Sequence, residues 1–289
     1  MQPNQLQPTL IGASTILIWS TLALFTALSG TVPPFQLTAM SFTIAFLVGV
    51  IFWLIRGEGI LCHLKQPKIA WLIGVGGLFG FHFFYFLALQ NAPTVEASLI
   101  SYLWPLLIVL FSALLPGERL RWFHVVGASL GFIGAALLVT KGQGFSFEAQ
   151  YGWGYLAALI AALTWSRYSV LSRLFGSVPT DAVGGFCGAT AILAFGCHFS
   201  FEETVWPMAT EWLAVLALGL GPVGLAFFTW DYGVKHGDIK LLGALAYFAP
   251  LLSTILLVLF GFAESSWLLG IACLLIVGGA MLAAWDLVM

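Results

Sequence analysis

The chain has 289 residues, of which 61% are hydrophobic and only 8% are charged, and its formal net charge is −2. A soluble protein carries roughly 25% charged residues, enough to cover its surface. Most of this chain's surface is therefore expected to face lipid, and its small charge argues against nucleic acid as a partner. Its four cysteines lack the C-x-x-C spacing of metal sites, so packed thiols are expected, with no metal, disulfide or cofactor.

Ten apolar segments are long enough to cross a bilayer, which takes about 20 helical residues. The first is longer than the apolar region of a secretory signal and follows no Lys or Arg, so it is interpreted as a spanning helix. The connections are short, and no soluble domain is expected. The predicted spans cover approximately residues 10–28, 35–55, 69–89, 94–115, 122–140, 152–174, 181–201, 211–235, 239–260 and 266–286.

The distribution of basic residues predicts the orientation. If the N-terminus is cytoplasmic, Lys141 is the only basic residue in an external connection, and Arg167 lies inside the sixth segment. This positive-inside bias predicts that both termini are cytoplasmic. The residues then assigned to the cytoplasmic side are Arg56, Lys65, Lys68, Arg119, Arg121, Arg173, Lys235 and Lys240.

The two halves of the chain share a pattern at a nearly constant offset. Trp19-Ser20 in the first segment recurs as Trp165-Ser166 in the sixth, and Tyr102 and Pro105 in the fourth recur as Tyr247 and Pro250 in the ninth. Because each repeat would contain five helices, an odd number, the second must be inverted relative to the first. We therefore predict an all-α integral membrane protein with ten transmembrane helices, in two inverted five-helix repeats at residues 1–145 and 146–289. Inverted repeats with interrupted helices are typical of secondary transporters.

This combination resembles the drug/metabolite transporter superfamily, and more narrowly its EamA-type permeases, over the whole chain. The resemblance depends on the Trp-Ser pair in the first helix of each half and on a proline followed by Gly117-Glu118 or Ala263-Glu264 across the fourth. The segments Phe81-His82-Phe83-Phe84-Tyr85 and Ser101-Tyr102-Leu103-Trp104-Pro105 resemble those of aromatic amino acid exporters. The resemblance implies a transporter in the cytoplasmic (inner) membrane of a bacterium. Ala263 departs from the glycine of the first copy.

Polar and aromatic residues of the third and fourth spans predict a substrate cavity. His82 and Tyr85 share one helix face, as do Tyr102 and Pro105, and polar tips at this depth should face the bundle interior. Trp104 is two residues from Tyr102, so either Pro105 distorts the helix enough to bring both into the cavity or only one lines it. The inverted copy predicts a second, cytoplasmic gate around a central site. The predicted cavity and gate residues are Trp19, His82, Tyr85, Tyr102, Trp104, Pro105, Trp165, Trp230, Tyr247 and Pro250.

Charged residues within the spans leave alternatives open. Arg167 could attract a substrate carboxylate, reach toward the cytoplasmic end or pair with Asp231. Asp231 precedes Lys235 by four residues, which predicts an intrahelical ion pair, although a proton-coupling role is the alternative. Glu118 is expected to be solvated beside Arg119 and Arg121.

The leading hypothesis is a secondary transporter that exports amino acids, aromatic ones preferred, and related small metabolites by alternating access. No P-loop motif is present, so direct ATP use is not expected. A proton-coupled exporter of other metabolites or drugs is the alternative. A membrane enzyme is a distant one, because the five histidines are scattered over different segments. The partners expected are small-molecule substrates and the lipid bilayer, and a monomer is expected.

Overall fold

The regular structure of the described residues, 5–264 and 266–285, is entirely helical in a computed structural model. Within these ranges, fifteen α-helices, the short 3₁₀ turn Ala149–Tyr151 and the π-helical turn Gly221–Leu225 follow one another. The α-helices are α1 (Leu6–Trp19), α2 (Leu22–Leu28), α3 (Pro34–Ile55), α4 (Ile60–Leu64), α5 (Lys68–Asn91), α6 (Thr94–Ser101), α7 (Trp104–Ser112), α8 (Trp122–Thr140), α9 (Gly152–Leu174), α10 (Ala182–Phe201), α11 (Ala209–Leu220), α12 (Ala226–His236), α13 (Ile239–Leu245), α14 (Phe248–Leu259) and α15 (Trp267–Ala283).

Eight helical stretches among the described residues are long and apolar enough to cross a membrane. The other two predicted segments also form helices, α9 and α15, but α9 is not among those eight and α15 has only 17 residues. The predicted helical membrane protein is therefore confirmed. The eight stretches are Leu6–Leu28, Pro34–Ile55, Lys68–Asn91, Thr94–Ser112, Trp122–Thr140, Ala182–Phe201, Ala209–His236 and Ile239–Leu259.

Four of these stretches are interrupted inside the bundle. The first breaks at Ser20–Thr21, the one starting at Thr94 breaks at Tyr102–Leu103, and the last breaks at Ala246–Tyr247. The stretch Ala209–His236 contains the π-helical turn, which begins at Gly221-Pro222. Proline cannot donate a backbone hydrogen bond and crowds the preceding turn, which weakens the helix beside Pro105 and explains the π turn at Pro222. Such breaks are tolerated at membrane depth where the backbone is buried in protein or lines a cavity.

The main helix contacts join the first half of the chain to the second. The most extensive pairs are α8 with α15, α5 with α9, α3 with α10, and α1 with α12. Glycines allow two of these approaches: a Cβ on Gly233 would overlap the backbone of Gly12, and one on Gly127 would overlap the carbonyl oxygen of Gly279. Close packing of small residues is the usual basis of helix association in lipid.

The outer surface is apolar, as the composition predicted. Large aliphatic side chains such as Leu72, Ile192 and Leu274 are at least 70% exposed. Tryptophans near helix starts, such as Trp122 and Trp153, are also highly exposed, and tryptophan is enriched at membrane interfaces. The connections between spans alternate between two ends of the bundle, called the upper and the lower end. The upper end contains the connections 29–33, 92–93, 141–151 and 202–208, and the lower end contains 56–67, 113–121, 175–181 and 237–238.

Candidate functional site

A cavity of about 200 Å³ lies in the upper half of the bundle, between helices from both halves of the chain. Six of the ten residues predicted for the site line it, so the third and fourth spans do converge with the first and sixth. These six are Trp19, His82, Tyr85, Tyr102, Trp104 and Trp165. Sequence reasoning missed Leu22, Ala23, Phe81, Ser98, Ser101, Pro222, Val223, Phe227, Ala249 and Ser253. Pro222 shows the same signal as Pro105, a proline within an apolar run, and could have been found by it.

Three tryptophans, Trp19, Trp104 and Trp165, form the floor of the cavity, and a fourth, Trp230, supports it from below. The ring of Trp19 lies 5.0 Å from that of Trp230, 5.7 Å from Trp165 and 6.0 Å from Trp104, measured between centroids. Most of these contacts are edge-to-face or tilted, the arrangements that aromatic quadrupoles favour. Trp230 has no exposed surface and therefore lies beneath the cavity rather than in its wall.

The floor is held by hydrogen bonds of two indole N–H groups. Trp19 Nε1 donates to the carbonyl oxygen of Pro222 at 3.0 Å, at the π-helical turn. Trp230 Nε1 donates to Ser169 Oγ at 3.0 Å. Because buried indole N–H groups need a partner, these bonds fix the orientation of both rings. The polar edges of these two indoles are thus occupied within the protein.

The wall above the floor carries polar groups. His82 Nδ1 lies 2.7 Å from the carbonyl oxygen of Leu78, which can only accept, so Nδ1 carries the proton and Nε2 remains for another partner. The hydroxyls of Tyr85 and Ser98 are 3.3 Å apart. Ser101 is 4% exposed, and its Oγ has no hydrogen-bond partner among the described residues. None of the described residues that line the cavity is Asp, Glu, Lys or Arg.

The break in the fourth span decides whether Tyr102 and Trp104 can both line the cavity. α6 ends at Ser101 and α7 begins at Trp104, and both Tyr102 and Trp104 line the cavity. In a regular helix, residues two apart point to nearly opposite sides. The interruption therefore brings both rings to one cavity. Pro105 itself is buried and does not line it.

The second predicted gate does not line the cavity. Trp230, Tyr247 and Pro250 are buried and lie outside the cavity wall. The reason is packing: Tyr247 has no exposed surface, and its hydroxyl is hydrogen-bonded to the backbone of the fourth span. In this arrangement the sequence-related Tyr102 and Tyr247 occupy different environments, one in the cavity and one in the protein interior.

Neither charged candidate faces the cavity. Asp231 is 1% exposed and pairs with Lys235 Nζ at 2.7 Å, which confirms the predicted pair. It also accepts hydrogen bonds from Thr180 Oγ1 at 2.7 Å and Tyr168 Oη at 3.3 Å. The alternative pairing with Arg167 is wrong, because the Arg167 side chain is exposed on the outer side of α9. A long arginine side chain on that surface can extend its head group toward water.

An ion-pair network, here called the lower network, closes the lower end of the bundle. Glu118 Oε1 is 2.9 Å from Arg173 Nη2, and Oε2 is 2.7 Å from Lys240 Nζ. Arg173 Nη1 also donates to the carbonyl oxygens of Val234 at 3.1 Å and Gly237 at 2.6 Å. The expectation that Glu118 is solvated beside its sequence neighbours was therefore wrong. Its side chain is 14% exposed, and together with Arg173 and Lys240 it joins the ends of four spans.

A second, larger depression of about 730 Å³ lies at the upper end between α8, α14 and α15. Its lining includes Lys141, Gly261, Phe262, Glu264 and Trp267, which are exposed at the ends of helices. Those residues lie at exposed helix ends rather than within the bundle. The aromatic cavity is therefore the candidate functional site.

Comparison with known proteins identifies a matching family model and several relatives of this chain. The EamA-like transporter family matches residues 8–140 and again residues 152–285. The aromatic amino acid exporter YddG of Ancylobacter novellus is 59% identical over 276 residues, which covers 95% of this chain and 96% of that protein. The YddG of Escherichia coli is 25% identical over 291 residues and 95% of each chain. A crystal structure of a protein 58% identical in sequence superposes with a TM-score of 0.91, covering 96% of this chain and 98% of the other.

Proposed function

The chain belongs to the EamA-like transporter family, and we propose that it exports aromatic amino acids and related small metabolites through the aromatic cavity. The observation that carries the proposal is the composition of that cavity. Its floor of tryptophans offers ring faces and edges to an aromatic side chain. Its wall offers hydroxyls and an imidazole to an amino acid's polar head. The relatives named as aromatic amino acid exporters support the same substrate class.

The proposed topology is ten spans in two inverted repeats, residues 1–145 and 146–289, with both termini cytoplasmic. The two separate family matches, one to each half, support the repeat. The helix contacts support it as well. In the two repeats α1 corresponds to α9, and α5 corresponds to the span that contains α12. The contact between α1 and α12 in one arrangement is therefore matched by the contact between α9 and α5 in the other. With the basic residues at the lower end, that end is cytoplasmic in the bacterial inner membrane.

The transport mechanism we propose is alternating access by a monomer. The cavity lies in the upper, external half, and the lower network around Glu118 closes the cytoplasmic half, so this arrangement corresponds to an outward-facing state. Export then requires a second state in which the lower end opens to load substrate and the upper end closes. The two-state requirement follows from inverted repeats around a central site.

Movement down the substrate gradient, without proton coupling, is the form of transport we favour. Asp231 is the most deeply buried carboxylate among the described residues, and its charge is matched by Lys235 and two hydroxyls outside the cavity. A proton-coupled exporter would need a carboxylate that exchanges protons as the cavity changes sides. We do not propose catalysis, because the cavity groups are those of a binding site and the named relatives are transporters.

Flux in proteoliposomes tests the proposal. Labelled tryptophan, phenylalanine and tyrosine should cross faster than in protein-free liposomes, and unlabelled aromatic amino acids should compete. A pH gradient should leave the rate unchanged. Failure of all three aromatic amino acids to cross would refute the substrate class, whereas a rate that follows the pH gradient would refute the uncoupled mechanism alone.

A further inference from the structure

The break in the fourth span is occupied by a hydroxyl from the ninth. Leu106 N–H donates to Tyr247 Oη at 3.1 Å, and Tyr247 Oη donates to the carbonyl oxygen of Tyr102 at 3.2 Å. In an uninterrupted α-helix, the N–H of residue 106 would donate directly to the carbonyl of residue 102. The Tyr247 hydroxyl is thus inserted into one helical turn as a hydrogen-bonded bridge.

Proline alone does not explain this opening. Pro105 lacks the N–H that would bond to the carbonyl of Ser101, and its ring crowds that carbonyl, but neither effect removes the Tyr102 carbonyl or the Leu106 N–H that the next bond needs. The bridge keeps these two groups apart while satisfying both of them. An open turn at this point is also what allows Tyr102 and Trp104, two residues apart, to line one cavity.

The bridge is held in place by packing. The Tyr247 ring has no exposed surface and lies against α8, where a Cβ added to Gly131 would be 2.5 Å from Tyr247 Cδ2. The ring of Phe132 is 6.3 Å away, between centroids. Glycine at position 131 therefore leaves room for the ring in the position from which its hydroxyl reaches the break.

We propose that Tyr247 is a positioning residue for substrate binding: its hydroxyl holds the fourth span open and so holds Tyr102 and Trp104 in the cavity. Movement of the ninth span against the fourth would withdraw this hydroxyl and allow the turn to close. The ninth span is thereby coupled to the shape of the cavity without touching substrate. This inference rests on the proposed function, because it assigns the role of Tyr247 through the transport site.

Tyr247→Phe tests the proposal, because it removes the hydroxyl and keeps the ring. The freed Leu106 N–H and Tyr102 carbonyl can then bond to each other, so thermal stability should change little. The shape of the cavity should change. The KM for tryptophan transport should therefore rise about tenfold, which corresponds to the loss of one aromatic contact, and kcat should change less than about twofold. Tyr155→Phe is the matched control, since the Tyr155 hydroxyl accepts a hydrogen bond from the Glu148 amide near the upper connection and does not line the cavity.

A second measurement does not depend on transport. Ser101→Cys is introduced into a background whose four cysteines are replaced by alanine, and its rate of labelling by an external thiol reagent is measured with and without Tyr247→Phe. The proposal predicts a changed rate with Tyr247→Phe, and the same direction of change with Gly131→Ala, which displaces the ring. An unchanged rate and an unchanged KM in Tyr247→Phe would overturn it. If the wild-type protein moves no aromatic amino acid, the proposed function fails, and the labelling rates still decide whether Tyr247 shapes the cavity.

Discussion

Replacement of Glu118 by glutamine should open the lower end of the bundle. Both carboxylate oxygens of Glu118 are engaged, one by Arg173 at 2.9 Å and the other by Lys240 at 2.7 Å. Glutamine keeps the size of the side chain but removes the charge and offers only one acceptor oxygen. Two cations at the ends of different spans would then face each other without their common anion.

The size of the effect follows from these contacts. A hydrogen bond to a charged group contributes about 1.5–3 kcal/mol when buried, and the three side chains of the lower network are 12–17% exposed, which favours the lower part of that range. Allowing for one retained bond, the closed state should lose about 2 kcal/mol relative to the open state. This corresponds to about a 30-fold shift in the ratio of the two states.

The assay is labelling of a single cysteine at Ser172, which is 5% exposed near the lower end of α9. In inside-out vesicles, a membrane-impermeant thiol reagent should label Ser172→Cys slowly in the parent and many times faster with Glu118→Gln. Glu58→Gln is the matched control, because Glu58 pairs with His63 at the same end but is 42% exposed. Equal labelling in the Glu118 and Glu58 variants would refute the role of the lower network.

Three further predictions concern the cavity and its surroundings. Trp104→Ala should raise the KM for tryptophan, as measured by initial flux rates, by up to about tenfold, because it removes a ring that lines the cavity and one aromatic contact contributes about 0.5–1.5 kcal/mol. An unchanged KM would exclude Trp104 from the site. Asp231→Asn should destabilise the protein by about 3–5 kcal/mol, because it leaves buried Lys235 without its counter-ion. Thermal unfolding in detergent measures this loss, and combining Asp231→Asn with Lys235→Met should recover much of it. An unaltered melting temperature in Asp231→Asn would contradict the prediction. Arg167→Gln should leave the KM for phenylalanine within about twofold, because the side chain lies outside the cavity; a large rise would show that it attracts the substrate carboxylate.

Local sequence patterns predicted the helices and part of the lining of the candidate site. Apolar runs of membrane length mark helices because lipid requires the backbone to bond internally, and the spacing of Asp231 and Lys235 specified a contact within one helix. His82, Tyr85 and Tyr102 were located from their polarity within apolar runs. Each of these inferences uses residues at most a few turns apart, where helix geometry determines which side chains share a face.

Contacts between distant parts of the chain could not be predicted in this way. Glu118 has Arg119 and Arg121 as neighbours in sequence, but the packing of the sixth and ninth spans supplies Arg173 and Lys240 instead. The presence of both Tyr102 and Trp104 in the cavity depends on the Tyr247 hydroxyl, 141 residues away from its donor Leu106. The helix period predicts which residues share a face only where the helix is regular. The candidate site lies beside interruptions of the helices, so the period does not predict its lining.

Protection of a cysteine by substrate tests most directly whether the aromatic cavity is the transport site. Ser98→Cys lines the cavity wall and can be labelled from the upper side in the cysteine-free background. The proposal predicts that external tryptophan slows this labelling, with half-protection at a concentration equal to its KM for flux in the same variant. Labelling that is unaffected by saturating tryptophan, in a variant that still transports it, would contradict the assignment of the cavity.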